Sequence, residues 1–188
     1  MKSVWFIYGF AEGKWHGKRF RKVLRQRGFT IAATIPEADI IIAHSGGAFE
    51  VPELRDNQLL VLIGPPYWPG RAKVERGIAK IAQDFRATIT GPGRFFNARK
   101  LIANSYYTLF EHKRTAQIVK DADTFDLEVE IKHSNTLLIR NNGDHWLTPD
   151  LTKLQKLNPH LKIHRLDGDH DDCWLRPARY IDLLQSDI

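Results

Sequence analysis

Ser45, Asp144 and His170 are three side chains whose types could together carry out covalent catalysis. A serine hydroxyl is a weak nucleophile and needs a base to take its proton, normally a histidine that a carboxylate orients. In this set His170 would be the base and Asp144 the orienting acid. Each of the three follows an apolar run, as expected of a side chain placed at the end of a strand. The set therefore indicates nucleophilic cleavage of an acyl bond.

The stretch around Ser45 reads I-I-I-A-H-S-G-G, so that a buried strand would end at a serine followed by Gly46 and Gly47. This pattern is typical of a strand-to-helix turn so tight that the neighbouring side chains must be small. In a nucleophile elbow, G-x-S-x-G, such a turn lifts the serine hydroxyl above the sheet and aims the next backbone N–H at a developing oxyanion. Ala43 replaces the first glycine of that motif. Taken alone, the stretch fits equally well a small polar residue where a buried strand meets a loop.

Two kinds of neighbouring residue compete for the roles of acid and base. Asp150 falls in the first turn of a predicted helix, where the helix dipole already accounts for a carboxylate, so Asp144 is favoured as the acid. His44 and His145 flank the proposed nucleophile and acid. We interpret both histidines as packing or solvent-facing neighbours and not as a second base.

The loop that contains His170 is strongly acidic. We interpret its other carboxylates as a solvated loop that would raise the pKa of the histidine: Asp167, Asp169, Asp171 and Asp172. Neither the spacing of a calcium-binding loop nor a His-x-x-x-His pair accompanies them. The sequence therefore predicts no metal and no cofactor.

The elements that must position these residues alternate between strands and helices. Six apolar runs are predicted strands, at 4–8, 29–35, 39–44, 58–63, 136–140 and 161–166. Parallel neighbours usually need a crossover of a dozen or more residues, so the three residues between 29–35 and 39–44 predict a short strand in the first of these two runs and a single helical turn around 35–38. Helical periodicity appears in the segment that ends at Gly28, throughout 67–125, and at 149–157 and 177–184. Such alternation predicts an α/β fold with a mostly parallel sheet of about six strands covered on both sides. Ligands of such sheets bind outside the carboxyl ends of the strands, where Ser45, Asp144 and His170 are expected.

With these residues in place, the sequence resembles a small member of the α/β-hydrolase superfamily, whose catalytic residues follow the order serine, acid, histidine. The resemblance extends from Val4 to about Leu184 and implies a three-layer fold. It also implies that the chain begins at the third strand of the usual eight-stranded sheet. Many members have His-Gly after that strand, whereas this sequence has Tyr8-Gly9.

The resemblance implies a catalytic triad of Ser45, Asp144 and His170. It also implies an oxyanion hole formed by the backbone N–H groups of Gly46 and Phe10, each donor being worth about 2.7 to 4 kcal/mol. The chain would then be one domain, 1–188, in which 67–125 form a helical cap that supplies apolar pocket walls. We expect a serine hydrolase that cleaves a carboxylic ester of a small-molecule acyl substrate, with a thioester or an amide as alternatives.

A second hypothesis concerns the basic segment 14–27. The chain has a formal net charge of +6, and Glu12 is the only acidic residue among residues 1–30. Lysines and arginines beside aromatic residues are typical of nucleic-acid binding, so a non-catalytic module that binds nucleic acid or another anionic partner is the alternative function. We favour the simpler interpretation that the segment is the solvent-facing side of an amphipathic helix.

The composition sets outer limits on these hypotheses. With a single cysteine, Cys173, no intramolecular disulfide forms, and a cytoplasmic location is expected. No apolar run reaches the roughly 18 to 20 residues that a membrane-spanning helix needs, and the N-terminal run is too short for a secretory signal. The oligomeric state does not follow from the sequence.

Overall fold

A computed structural model describes the residues 1–9, 12–66, 102, 105–106, 109–110, 113–114, 116–117, 127–132, 135–144 and 151–188. Six strands form one sheet: β1 (Ser3–Ile7), β2 (Thr30–Ile31), β3 (Ile40–His44), β4 (Leu59–Ile63), β5 (Thr136–Asn141) and β6 (Lys162–Leu166). Their order is β2-β1-β3-β4-β5-β6, and every neighbouring pair is parallel. The prediction of a mostly parallel sheet of about six strands is confirmed.

The described helices cover both faces of this sheet. They are α1 (Lys18–Gln26), α2 (Leu127–Glu130), α3 (Leu151–Leu157), α4 (Asp172–Leu175) and α5 (Pro177–Asp187). Side chains of α1, α4 and α5 pack with Ile40 and Ile42 of β3, whereas α2 and α3 pack on the opposite face with Ile41 and Ala43. Because side chains alternate between the faces of a strand, an unbroken apolar run such as I-I-I-A contributes side chains to the hydrophobic cores on both faces of the sheet.

The second strand is short, as the close spacing of the runs 29–35 and 39–44 predicts. The run 29–35 yields only Thr30–Ile31, which is hydrogen-bonded to β1 at the edge of the sheet. Pro36, the second residue of a 3₁₀ helix over Ile35–Glu37, follows closely, so the predicted helical turn is confirmed and occupies the end of the run. A short edge strand also limits unwanted pairing with other chains.

Most of the predicted cap, 67–125, lies outside the described residues, as does the predicted helix start at 149–150. Within this segment, the described residues between 102 and 117 are helical. In the part of the chain that the structure describes, no helix combines the length and the apolar character needed to cross a membrane.

Candidate active site

The strand order reverses between β1 and β3. β1 leads to β2 on one side of the sheet, while β3 to β6 follow one another on the other side. In an open parallel sheet, ligands bind outside the carboxyl ends of the strands near such a reversal. Gly9 lies just beyond the end of β1, and Ser45 directly follows β3.

Ser45 lies in a strained turn at the end of β3. Its φ of +51° is the only positive value of a non-glycine residue among the described ranges. An L-residue adopts this left-handed conformation at a cost of about 1 to 2 kcal/mol, which surrounding structure must offset. Ser45 then begins a 3₁₀ helix that extends to Glu50. The predicted strand-to-helix turn is thus present, although its helix is a short 3₁₀ helix.

Small residues allow this turn to lie against the loop after β1. A Cβ on Gly47 would lie 2.7 Å from the carbonyl oxygen of Ile7, and a Cβ on Gly9 would lie 2.9 Å from the Cβ of Ser45. Both distances are shorter than carbon atoms tolerate, so glycine is required at both positions. Ala43, which replaces the first glycine of the elbow motif, is fully buried in the core cluster that includes Ile7. Its methyl group is therefore accommodated by packing.

Asp144 and His170 form a hydrogen-bonded pair beyond the ends of β5 and β6. The Nδ1 atom of His170 lies 2.7 Å from Oδ2 of Asp144, and both residues are buried. The two loops that carry them are also bonded to each other. The N–H of Gly143 donates to the carbonyl of Gly168 at 2.8 Å, and the amide of Asn141 donates to the carbonyl of Asp169 at 2.6 Å. The structure therefore brings these two predicted site residues together, while Asp150 and His145 lie outside the described residues.

Gly64 is a residue of the site that sequence reasoning missed. It follows β4 with a φ of +53°, and a Cβ there would lie 3.0 Å from Oδ2 of Asp144 and 3.2 Å from Nδ1 of His170. The end of β4 thus passes directly beneath the Asp144–His170 pair. The available signal was the Gly-Pro-Pro sequence at 64–66, which we used only as the end of a strand.

The structure describes only one of the two residues predicted to donate to the oxyanion. Gly46 is buried in the turn immediately after Ser45. Phe10 lies outside the described residues, so its role stays a prediction.

A second carboxylate–imidazole pair, Glu12 and His44, lies behind the first. Nδ1 of His44 is 2.9 Å from Oε2 of Glu12, and Nε2 of His44 is 3.1 Å from the carbonyl oxygen of His170. His44 has no exposed surface, and Glu12 is 3% exposed. His44 is thus a buried neighbour of Ser45, as one of the two interpretations predicted, but the sequence did not predict its polar contacts with Glu12 and His170. No local motif signals the pair, because its members lie in different loops.

The charge state of this pair follows from its surroundings. Burial by itself disfavours a charged His44, but the Glu12 carboxylate at Nδ1 outweighs that penalty and raises the pKa of His44 above its ordinary value. Burial also raises the pKa of the Cys173 thiol to about 11, so Cys173 is neutral at physiological pH. Glu12 is then the neighbouring negative charge that holds the proton on His44.

The acidic loop that contains His170 was predicted to be exposed to solvent, and one of its four aspartates is not. Asp172 is 2% exposed, and its carboxylate pairs with Arg176 and accepts a hydrogen bond from the hydroxyl of Tyr180 at 3.3 Å. The interpretation was therefore wrong for Asp172, because α4 turns this residue inward. The four-residue sequence D-C-W-L of that helix is too short to show helical periodicity.

One group of described residues has the composition of a metal site. Glu12, His44 and Asp171 place one ligand-type atom each within 4.8 Å of one another. Both oxygens of Glu12 already accept hydrogen bonds, from the backbone of Gly9 at 2.9 Å and from the indole of Trp174 at 3.0 Å. The chemistry of this donor set is that of a hydrogen-bonded ion pair, and the expectation of no metal stays a prediction.

Arg114, from the segment predicted to form the cap, holds the loop after β1 from outside. Its guanidinium donates to the carbonyl of Tyr8 at 2.8 Å and to the carbonyl of Glu12 at 2.9 Å. It also pairs with the carboxylate of Glu50 at 2.7 Å. The two carbonyls lie on either side of 9–11, so Arg114 fixes both ends of the loop that is predicted to donate to the oxyanion.

The basic segment 14–27 lies on the surface at α1. Arg27 pairs with Asp182 of α5 at 2.8 Å, and the guanidinium of Arg21 bonds the hydroxyl of Tyr8. The remaining basic side chains of the segment are exposed: Lys14, Lys18, Arg19, Lys22 and Arg25. Phe20 and Leu24 point into the core, as the amphipathic interpretation predicts.

Comparisons with known proteins identify the fold. No protein-family model matches the sequence, and no curated protein matches it. Among solved structures, Est816, an N-acyl homoserine lactone degrading enzyme, is similar over 100% of this chain and 93% of its own, with a TM-score of 0.64 and 11% identity. The N-formylmaleamic acid deformylase of Pseudomonas putida S16 is similar over 96% of this chain and 90% of its own, with a TM-score of 0.60 and 14% identity.

The enol-lactonase of Burkholderia xenovorans LB400 is similar over 98% of this chain and 90% of its own, with a TM-score of 0.58 and 13% identity. These structures share one fold, and this chain has the same α/β-hydrolase fold. The identities are too low to carry a reaction or a substrate from one protein to another.

Proposed function

We propose that this protein is a serine hydrolase in which Ser45 is the nucleophile, His170 the general base and Asp144 the residue that orients the histidine. The observation that carries the proposal is the 2.7 Å contact between the buried Asp144 carboxylate and Nδ1 of His170. The pair lies against Gly64 at the end of β4, the strand next to the one that ends at the strained turn of Ser45. The carboxylate accepts the Nδ1–H bond. It thereby leaves Nε2 of His170 unprotonated and able to accept the serine proton.

The reaction would proceed in two halves. In the first, the oxygen of Ser45 attacks the carbonyl carbon of an ester while Nε2 of His170 takes the hydroxyl proton. The tetrahedral oxyanion accepts hydrogen bonds from the N–H groups of Gly46 and Phe10, and the proton on His170 passes to the leaving alkoxide. In the second, a water molecule attacks the acyl-enzyme, gives its proton to His170, and releases the acid and the free serine.

A carboxylic ester is the substrate class that we propose, with a thioester and an amide as the other acyl bonds. The structural neighbours are named for reactions at acyl groups, namely lactone degradation, an enol-lactonase and a deformylase, and this supports hydrolysis. Two of these names refer to lactones, which are cyclic esters, and the third to an N-formyl amide, so the ester is the first of the acyl bonds to test. The non-catalytic anion-binding module stays the alternative, supported by the exposed basic side chains of α1.

Labelling with a fluorophosphonate tests the assignment of the nucleophile. We expect mass spectrometry to place one adduct on Ser45 and Ser45→Ala to abolish it. We also expect Ser45→Ala to reduce turnover of p-nitrophenyl acetate by about 10⁴-fold or more. Ser186→Ala is the matched control, because the hydroxyl of Ser186 bonds the carbonyl of Leu183 at the exposed surface.

Several results would separate the hypotheses. Full activity in Ser45→Ala would refute the serine mechanism. The anion-binding module would be favoured if the fluorophosphonate formed no adduct with the wild-type protein, and if this protein bound single-stranded DNA with an affinity that falls as the salt concentration rises. A panel of acyl chain lengths, with matched thioesters and amides, would then define the bond that is cleaved.

A further inference from the structure

Glu12 makes contacts that connect three different loops of the site. Its Oε2 atom accepts the N–H of Gly9 at 2.9 Å and lies 2.9 Å from Nδ1 of His44. Its Oε1 atom accepts the indole N–H of Trp174 at 3.0 Å. Gly9 follows β1, His44 ends β3, and Trp174 lies in α4, four residues beyond His170. A single buried carboxylate thus links the proposed oxyanion loop, the serine turn and the histidine loop.

The hydrogen-bond geometry determines where the protons of His44 lie. Nε2 faces the carbonyl oxygen of His170 at 3.1 Å, and a carbonyl only accepts, so Nε2 carries a proton. Nδ1 faces a carboxylate that also accepts two N–H groups, an environment that stabilises its ionised form. The shared proton therefore lies on Nδ1, and His44 is an imidazolium paired with a carboxylate.

We propose that the Glu12–His44 ion pair positions His170 against Ser45, an inference that rests on the proposed function. His44 immediately precedes Ser45 in the chain, and its other nitrogen holds the backbone of His170. One peptide bond and one hydrogen bond thus connect the proposed nucleophile to the backbone of the proposed base. Glu12 and His44 are positioning residues in this scheme, because they act through the loops and not on the substrate.

The side chains around the Glu12–His44 pair support a role in positioning His170. The ring centroids of His44 and His170 are 5.0 Å apart, and the indole of Trp174 packs edge-on against His44 at 4.9 Å. Among the described residues, the neutral Cys173 thiol and the Asp171 carboxylate are the other titratable groups that face the pair from α4 and the loop before it. Removing one member of a buried ion pair leaves the other charge uncompensated, and the loops that it holds then shift.

Three substitutions separate the two contacts of His44. The amide of Asn can replace Nδ1, so His44→Asn retains the bond to Glu12 and loses the bond to the His170 carbonyl. The amide of Gln can replace Nε2, so His44→Gln retains the bond to His170 and loses the ion pair. Glu12→Gln removes the charge while preserving size. The matched control is His164→Asn, which disrupts a surface pair in which His164 lies 2.6 Å from Asp187.

Kinetics with p-nitrophenyl acetate give the first measurement. We expect His44→Asn and Glu12→Gln to lower kcat by about 10²-fold with little change in KM, since a misplacement of about 1 Å costs that much. We expect the rate of fluorophosphonate labelling at Ser45 to fall in parallel, and His164→Asn to behave as wild type. Near-UV circular dichroism verifies folding, and if Glu12→Gln does not fold, His44→Gln tests the ion pair in its place. Wild-type kcat and labelling rates in folded His44→Asn and Glu12→Gln would overturn the proposal.

A second measurement does not depend on turnover. Nitrogen-15 NMR of labelled histidines should show His44 with both nitrogens protonated, and the ring signals of His170 should move in His44→Asn. Two outcomes are then distinguishable. Wild-type protein that neither labels nor turns over would refute the proposed function, whereas the NMR result would still decide whether the pair sets the position of His170. Unmoved His170 signals, or a His44 with one protonated nitrogen, would overturn the inference itself.

Discussion

Gly64 provides a quantitative test of how closely the sheet supports the Asp144–His170 pair. In Gly64→Ala, the new Cβ would lie 3.0 Å from Oδ2 of Asp144 and 3.2 Å from Nδ1 of His170, in a backbone with a φ of +53°. The left-handed conformation alone costs an alanine about 1 to 2 kcal/mol. Relief of the contacts requires the pair to shift by several tenths of an ångström. We therefore expect kcat to fall by about 10-fold, part of the roughly 10²-fold loss that a 1 Å displacement causes.

Gly28→Ala is the matched control for the backbone cost. Gly28 has a φ of +86°, and a Cβ there meets no atom within 4 Å. Both variants should lose about 1 to 2 kcal/mol in urea unfolding, equivalent to a fall in Tm of about 2 to 8 °C for a chain of this size. Only Gly64→Ala should lose turnover of p-nitrophenyl acetate. Equal stability losses with wild-type kcat in both variants would refute the idea that the pair lies tightly against the end of β4.

Three further predictions address other parts of the site. Asp144→Asn should lower kcat by about 10⁴-fold, because the amide presents a donor to Nδ1 and favours the wrong histidine tautomer; retention of wild-type kcat in ester hydrolysis would count against the triad. Arg114→Ala should lower kcat/KM by about 10-fold to 10²-fold by releasing the loop after β1, and Arg114→Lys should recover little because it lacks the planar fork. The raised pKa of His44 stabilises the fold fully below pH 6.5, and this stability is lost as pH rises through the folded-state pKa. Urea unfolding midpoints at several pH values should show this decline in wild type, and Glu12→Gln should flatten it; an identical pH profile in both proteins would contradict the assignment.

The central strands could be predicted from the sequence because burial on both faces leaves an unbroken apolar signal. The runs at Ile40–His44 and Leu59–Ile63 are of this kind, and both strands agree with the prediction to within one residue. The run after Gly28 contains two threonines and ends three residues before the run of β3, and this close spacing predicts the short strand that the structure shows. Its place at the edge of the sheet, paired with β1 alone, depends on tertiary context that the run itself does not carry.

The candidate site was predictable to the extent that its residues follow strands. Ser45, Asp144 and His170 each follow an apolar run, and a parallel sheet collects such positions at one edge. Glu12 and His44 were not predictable in this way. Their link arises because the loop after β1 approaches the end of β3 within the protein interior. The available signal was that Glu12 is the only acidic residue among residues 1–30, and the electrostatic interpretation drew attention to the neighbouring lysines and arginines instead.

The order of the strands along the chain affects when the site becomes reactive. Synthesis from the N-terminus completes β1 to β4, and with them the turn of Ser45, well before β5 and β6 emerge. Until β5 forms, the backbone N–H and C=O groups at the free edge of β4 have no partner strand, which makes the incomplete sheet prone to association with other chains. Asp144 and His170 reach the end of β4 only when β5 and β6 dock. A growing chain thus carries the proposed nucleophile without its base, and the proposed reactivity is delayed until β6 and the loop after it have been made.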